Sequence, residues 1–477
     1  MSFATVLLPL AMAVVTFATP SKRWRPRLVA ATAVAHAALT AGIVAAPARL
    51  APGRWLAFDA PGRLLLALIS ALFLACALYS LGYLRYRAER ANRRFCACLL
   101  AALAAMSLVA QAQHLGLLWV GVEATTLAAA PLIYFNRTPR SIEATWKFLL
   151  ISSVGIALAL LGSFLVGYAS LQSGSGASML FADLLARAPL LSKPWLRAGF
   201  ALLLVGYGTK MGLAPMHTWK PDAYGEAPGV VGAILAGGLS SCAFLAVLRL
   251  HQIVAAAGEG LYAGRLLVFM GLFSMAVAGA LTLGQRDLKR MLAYSSVEHM
   301  GILTLAAGVG GGALFGALFH LLNNGLAKAV LFLSAGNLHR AFGGKTTDEI
   351  QGGMRRLPLS GTAFLLGLLA ITGSPPFGPF ISELVILRAV FGSGRWLVGG
   401  LFLAFSFVVF AGMGATSLAA LQGRSPAPAG RPAYRDSLLT FAPIAALLLA
   451  VTLLGVHVPG PLRELLADAA SSLQVAR

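Results

Sequence analysis

Lys210-Met-Gly-Leu-Ala-Pro-Met-His-Thr-Trp-Lys-Pro-Asp-Ala-Tyr-Gly-Glu-Ala-Pro228 is the stretch on which the reading of this chain turns. It starts inside one apolar run, residues 197–216, and ends just before another, residues 229–254. A run of about twenty apolar residues crosses the hydrocarbon core of a bilayer as a helix. Lys210 stands in the middle of the first run, and Gly212 and Pro215 interrupt it just beyond. A charge at that depth costs at least about 2.5–3.5 kcal/mol on insertion scales, so it needs a partner or a task. A helix broken at that depth survives only where protein or a water-filled cavity surrounds the break. The stretch therefore predicts an all-α polytopic membrane protein with an ion path near Lys210.

Composition supports this outward from the motif. Of 477 residues, 58% are hydrophobic and 11% charged, against roughly 25% charged in soluble domains. This excludes a soluble enzyme, a disordered chain and a disulfide scaffold. A β-barrel is disfavoured, because barrels read as short alternating segments. The net charge of +21 does not indicate nucleic acid, because the basic residues sit in short loops between apolar runs. Cys76, Cys96, Cys98 and Cys242 lie in or beside those runs with no C-x-x-C pair, and read as small buried hydrophobes. No iron–sulfur ligand set and no G-x-G-x-x-G turn is present, so the expectation is no cofactor, no metal and no redox centre in this chain.

Fourteen apolar segments can be counted, at about 3–20, 28–47, 64–84, 95–112, 114–135, 147–170, 197–216, 229–254, 266–284, 292–310, 313–338, 360–391, 396–420 and 437–457. Basic residues in or flanking the odd loops number 23, against 12 for the even loops and tail, leaving Lys210 and Lys328 inside the membrane. Positive loops stay cytoplasmic, which predicts a multi-pass protein of the bacterial inner (plasma) membrane with both termini outside. The first apolar run is followed, not preceded, by Lys22, Arg23, Arg25 and Arg27. That order is reversed for a cleaved signal, so the run reads as a first span. A second interruption is Gly373-Ser-Pro-Pro-Phe-Gly-Pro379. Breaks in corresponding places of two halves suggest an inverted repeat with the ion path near them. The predicted organisation is 1–94 for helices 1–3, 95–255 and 256–420 for two five-helix repeats broken at helices 7 and 12, and 421–477 for helix 14 and the tail.

Several polar residues fall at membrane depth. Glu123 lies about ten residues into segment 5, and a Glu123/Lys210 pair would offset part of each charge's desolvation. Such a pair serves either as a proton-loading switch or as a static tie between helices. His320, Asn324 and Lys328 are spaced by four and share one helix face, a plausible water-linked relay. Glu383 follows the second break, where a helix N-terminus would favour its negative charge; the alternative is a helix-start acid. Glu298-His299 reads as the opening of segment 10 beside Ser295 and Ser296, either a capping group or a further relay element. Lys147 with Glu143 reads as an i, i+4 pair anchoring segment 6 at the interface. His217 and Asp222 either line an entrance or form a capped turn with Trp219 at the interface.

These motifs resemble the antiporter-type, proton-translocating subunits of respiratory complex I and its relatives. The Lys210–Pro228 stretch carries most of the resemblance. Trp119-Val-Gly-Val-Glu-Ala-Thr-Thr126 and Phe377 to Leu384 add to it in the same order, over roughly residues 95 to 420. Within the family, Ser141-Ile-Glu-Ala-Thr-Trp-Lys147, Ser295-Ser-Val-Glu-His-Met-Gly301 and Ser374 to Glu383 are most similar to component F of hydrogenase-4, a membrane-bound nickel–iron hydrogenase. The resemblance implies a glutamate–lysine pair at Glu123 and Lys210, a central relay at Lys328 with His320, and a terminal group at Glu383. It also implies protons (or Na+) as cargo, and as partners the lipid bilayer, further membrane subunits and a soluble redox arm. Departures are Ser241 where many relatives carry a lysine, Asn324 where some carry histidine, Lys220 in place of leucine and Tyr224 in place of histidine. Water held by hydroxyl and amide groups could bridge those gaps. The expected function is proton translocation within a redox complex. The alternatives are a subunit of a multi-subunit sodium/proton antiporter and a non-pumping membrane anchor.

Overall fold

The computed structural model describes residues 3–46, 53–423 and 434–474. The elements are α1 (Ala4–Ala18), α2 (Trp24–Ala45), α3 (Ala60–Tyr86), α4 (Arg93–Gln111), α5 (Leu115–Ile133), α6 (Pro139–Ser170), α7 (Phe181–Ala186), α8 (Lys193–Met211), α9 (Trp219–Glu226) and α10 (Gly229–Ile234). They continue as α11 (Ser240–Val254), α12 (Gly260–Thr282), α13 (Leu288–Val309), α14 (Gly312–Phe342), α15 (Gly353–Arg356), α16 (Pro358–Ile371), α17 (Gly378–Gly392), α18 (Trp396–Leu421), α19 (Leu438–Val456) and α20 (Gly460–Leu473). The described residues contain no β-strand, only isolated bridges. Nine helical stretches among them are long and apolar enough to cross a membrane. One stretch, Gly229–Thr282, continues through π-helical turns and kinks at Gly258.

The predicted interruptions are real and alike. α8 stops at Met211, Gly212 takes φ 76°, and the chain turns through Pro215 before α9. α16 stops at Ile371, Gly373 takes φ 70°, and α17 resumes at Gly378. Positive φ strongly favours glycine, which has no Cβ to clash. The peptide bonds before Pro215 and Pro376 are both cis.

Packing is centred on α13 and α14, which are buried along most of their length. α12 packs along α13, α6 along α8, and α14 against α16 and α17. Small residues allow some of these approaches: a Cβ on Gly206 of α8 would lie 2.6 Å from the Gly155 carbonyl oxygen of α6, the close contact typical of membrane interfaces. Polar ties fasten the ends. Arg249 of α11 reaches Asp59, the N-cap of α3, at 2.8 Å. Asn337 of α14 bonds Tyr79, Tyr434 and Ser360 at 2.8, 2.9 and 2.9 Å. Lys345 pairs with Glu226 at 2.6 Å and Asp287 at 3.2 Å, holding α9 to the start of α13.

Two boundaries differ from expectation. α13 begins at Leu288, with Asp287 as its N-cap accepting from the backbone amides of Lys289 and Arg290. Glu298 and His299 are therefore mid-helix, not at its opening, so a capping role is excluded. The tail, given no element of its own beyond helix 14, forms α20, whose buried Leu465, Leu466, Ala469, Ala470 and Leu473 share one face.

Candidate functional site

Three groups of buried and half-buried polar side chains lie in the interior. The first lies beside the α8 break. Thr126 sits one turn after Glu123 on α5 and donates to its Oε2 at 3.1 Å. Lys210 Nζ donates to the same Thr126 hydroxyl. A hydroxyl gives one proton and accepts others, so Thr126 relays between the two. Glu123 and Lys210 are thus joined through Thr126 and form no direct ion pair. The lysine also lies over the Phe148 ring at 5.5 Å.

The second group is central. Ser295 and Ser296 are successive residues of α13, and each meets a different lysine. Ser295 Oγ accepts from Lys328 Nζ of α14 at 2.6 Å. Ser296 Oγ accepts from Lys220 Nζ of α9 at 3.0 Å. All four residues are fully buried. Lys220 also donates to the carbonyl of Met211, the residue after Lys210.

The third group lies at the second break. His320 of α14 is 3.0 Å from His299 of α13 through one ring nitrogen and 2.9 Å from Ser382 of α17 through the other. His299 Nδ1 is 3.9 Å from Glu383 and its Nε2 is 4.0 Å from Glu298. Glu383 folds back over Gly373, where a Cβ would lie 2.6 Å from Oε2. It is the sixth residue of α17, past the first turn where the helix dipole acts. The expected N-terminal stabilisation and the helix-start alternative both fail there. His299, His320 and Glu383 offer ligand atoms within 4.8 Å of one another. The 3.0 Å nitrogen separation is a hydrogen bond, shorter than the roughly 3.3 Å between tetrahedral ligands at 2.0–2.1 Å from zinc. Between the second and third groups, Asn323 and Asn324 are buried with no protein partner for either amide atom. Buried amides normally hold a partner, protein or water.

The remaining predicted residues lie elsewhere. Lys147 pairs with Glu143 at 2.6 Å and with Asp222 at 2.9 Å. Asp222 also pairs with Arg290, so it ties α6 to α13 and is no free entrance group. It lies in α9, not a capped turn. Trp219 is 2% exposed, its indole N–H donating to the Thr209 carbonyl at 2.9 Å; it is a core residue, not an interfacial one. His217 is buried with Nδ1 unpartnered. Ser241 donates to Gly237 of its own helical stretch at 2.7 Å and stays outside the three groups. A separate buried histidine, His36, is fully occupied by Ser107 at 2.9 Å and Ser70 at 2.7 Å.

Thr126, Lys220, Ser295, Ser296 and Ser382 belong to the groups, yet the reading of charged residues passed over them as site residues. Thr126 was detectable at three residues from Glu123, the spacing of one helix face. Lys220 was assigned to a loop because its sequence neighbours are polar, whereas it is a third lysine in the interior.

Comparison with known proteins sets this all-helical membrane fold with two broken helices and interior acidic and basic side chains among antiporter-like membrane subunits. Residues 112–410 match the family described as NADH:quinone oxidoreductase/Mrp antiporter, TM. The hydrogenase-4 component F homolog of Methylacidiphilum infernorum is 36% identical over 74% of this chain and 74% of its own length. NADH-quinone oxidoreductase subunit N of Desulforudis audaxviator is 33% identical over 70% of this chain and 66% of its own. A chain of respiratory complex I from Thermus thermophilus shares the fold, with a TM-score of 0.83, 23% identity and complete coverage of both chains. The chain belongs to this family: it is an integral membrane, antiporter-like subunit of the complex I and membrane-bound hydrogenase kind.

Proposed function

We propose that this chain translocates protons as one membrane subunit of a multi-subunit redox complex resembling hydrogenase-4 or complex I. The observation that carries the reading is the placement of buried Lys210, Lys328 and His320 and half-buried Glu123 and Glu383 in groups that run from the first broken helix to the second. Thr126 couples the first pair. Water on the Asn324 amide would join Lys328 to His320. Ser382 and His299 occupy the two ring nitrogens of His320, and His299 lies 3.9 Å from Glu383. The chain carries no electron carrier in this reading, and redox energy reaches it from partner subunits by conformational and electrostatic coupling. Fourteen crossings, two inverted five-helix repeats at 95–255 and 256–420, and both termini outside the bacterial inner membrane complete the proposal. The alike breaks at Gly212 and Gly373 support the repeat. A buried lysine is costly unless used, which argues against an idle anchor.

The test is proton pumping by the reconstituted complex, normalised to assembled subunit. Glu123→Gln and Lys210→Met are each expected to assemble and to lower pumping by about tenfold or more, the scale of losing one proton-transfer group. Lost assembly rescued by neutralising both would instead mark a static tie.

A further inference from the structure

We propose that Lys220 is a proton-carrying group that joins Lys210 to Lys328 across the centre of the protein; this rests on the proton-translocation reading. Lys220 enters from α9, a helix of eight residues just after the first break, and is fully buried. Its Nζ stands between the Met211 carbonyl and Ser296 Oγ. Met211 is next in chain to Lys210, and Ser296 is next to Ser295, which holds Lys328. The Lys220 ammonium is therefore the one ionisable group, among the described residues, hydrogen-bonded both to the end of the helix that carries Lys210 and to Ser296, the sequence neighbour of the serine that meets Lys328.

The break is shaped around this side chain. A Cβ on Gly212 would lie 2.5 Å from Lys220 Cδ, 2.8 Å from Cε and 3.0 Å from Nζ. The absence of a side chain at Gly212 thus leaves the channel for the lysine stem. Tyr224, one turn further along α9, places its ring 5.7 Å from Nζ. Segment 8 supplies no substitute at Ser241, whose hydroxyl is committed to Gly237. A plain structural role is also available, since Lys220 caps a free carbonyl at the C-terminus of α8. Capping needs only a hydrogen-bond donor, however, and not a group that gains and loses charge. In the relay, a proton passing from Lys210 converts the Lys220 amine to ammonium. Its departure past Ser296 toward Lys328 restores the amine, so no co-reactant is consumed.

Lys220→Gln separates the two roles. Glutamine can still donate to the Met211 carbonyl and bond Ser296, but it carries no exchangeable charge. The complex containing each variant is purified from its native membranes, reconstituted in vesicles, and assayed for pumping per assembled complex with Lys210→Met as reference. Assembled Lys220→Gln is expected to pump at least about tenfold less than the parent. Near-parental pumping, with Lys210→Met inactive, overturns the assignment of Lys220. Parental pumping by Lys210→Met instead overturns the underlying relay reading. If Lys220→Gln does not assemble, Ser296→Ala decides, because it keeps the lysine and its bond to the Met211 carbonyl while removing the Lys220–Ser296 hydrogen bond. Lost pumping there supports the assignment, and unchanged pumping overturns it.

Discussion

At the scale of single residues, the interior sets hydroxyls against ionisable side chains. Thr126 stands between Glu123 and Lys210, Ser295 beside Lys328, Ser296 beside Lys220, and Ser382 beside His320. A hydroxyl can donate and accept at once, so each can pass a proton or hold an ammonium without adding charge to the membrane interior. Thr126→Val keeps the shape and removes the bridge. The expectation is normal assembly with pumping lowered by about tenfold or more, read as proton uptake in vesicles. Asp222→Asn is the contrast. Its partners Lys147 and Arg290 are 45% and 43% exposed, and exposed pairs contribute about 0–1 kcal/mol. The expected result is a thermal shift of that order with pumping unchanged; a pumping defect would return Asp222 to the ion path.

At the scale of elements, the two broken helices decide the architecture. Each break pairs a positive-φ glycine with an ionisable side chain: Gly212 faces Lys220 and Gly373 faces Glu383. Gly373→Ala should cost about 1–2 kcal/mol from the left-handed backbone alone, and should also push Glu383 off its position. A lowered melting temperature together with reduced pumping checks this, and an unchanged melt contradicts it. The breaks were legible in the sequence because glycine and proline inside an apolar run have few other uses. Lys220 was not legible, because local polarity places it in a loop and only the fold turns α9 inward. The start of α13 was misread for a related reason. Lys289 and Arg290 look like loop residues, yet Lys289 is 3% exposed and donates to the Ala227 carbonyl at 3.0 Å. Glu298 and His299 consequently moved from a helix opening to mid-helix. α20 was hidden because its apolar face is spaced for packing, not for crossing a bilayer.

At the scale of the whole molecule, orientation and conduction each carry a prediction. The loop at Arg85–Arg94 is expected in the cytoplasm by its arginine excess. A cysteine placed at the exposed Ala88 should resist a membrane-impermeant label in sealed cells and react once they are opened. The native Cys76, Cys96 and Cys242 are buried and add little background. Labelling from outside would reverse the orientation. The central claim is that protons cross through the buried line, and Lys328 is its midpoint. Lys328 is fully buried and bonded to Ser295 at 2.6 Å. Arginine keeps a positive charge there but does not release its proton in the working range. The decisive measurement is proton pumping by Lys328→Arg in reconstituted vesicles, normalised to assembled complex. The account predicts normal assembly with pumping lost; pumping at the parental rate would remove Lys328 from the path and leave Glu123, Lys210 and Glu383 without their link.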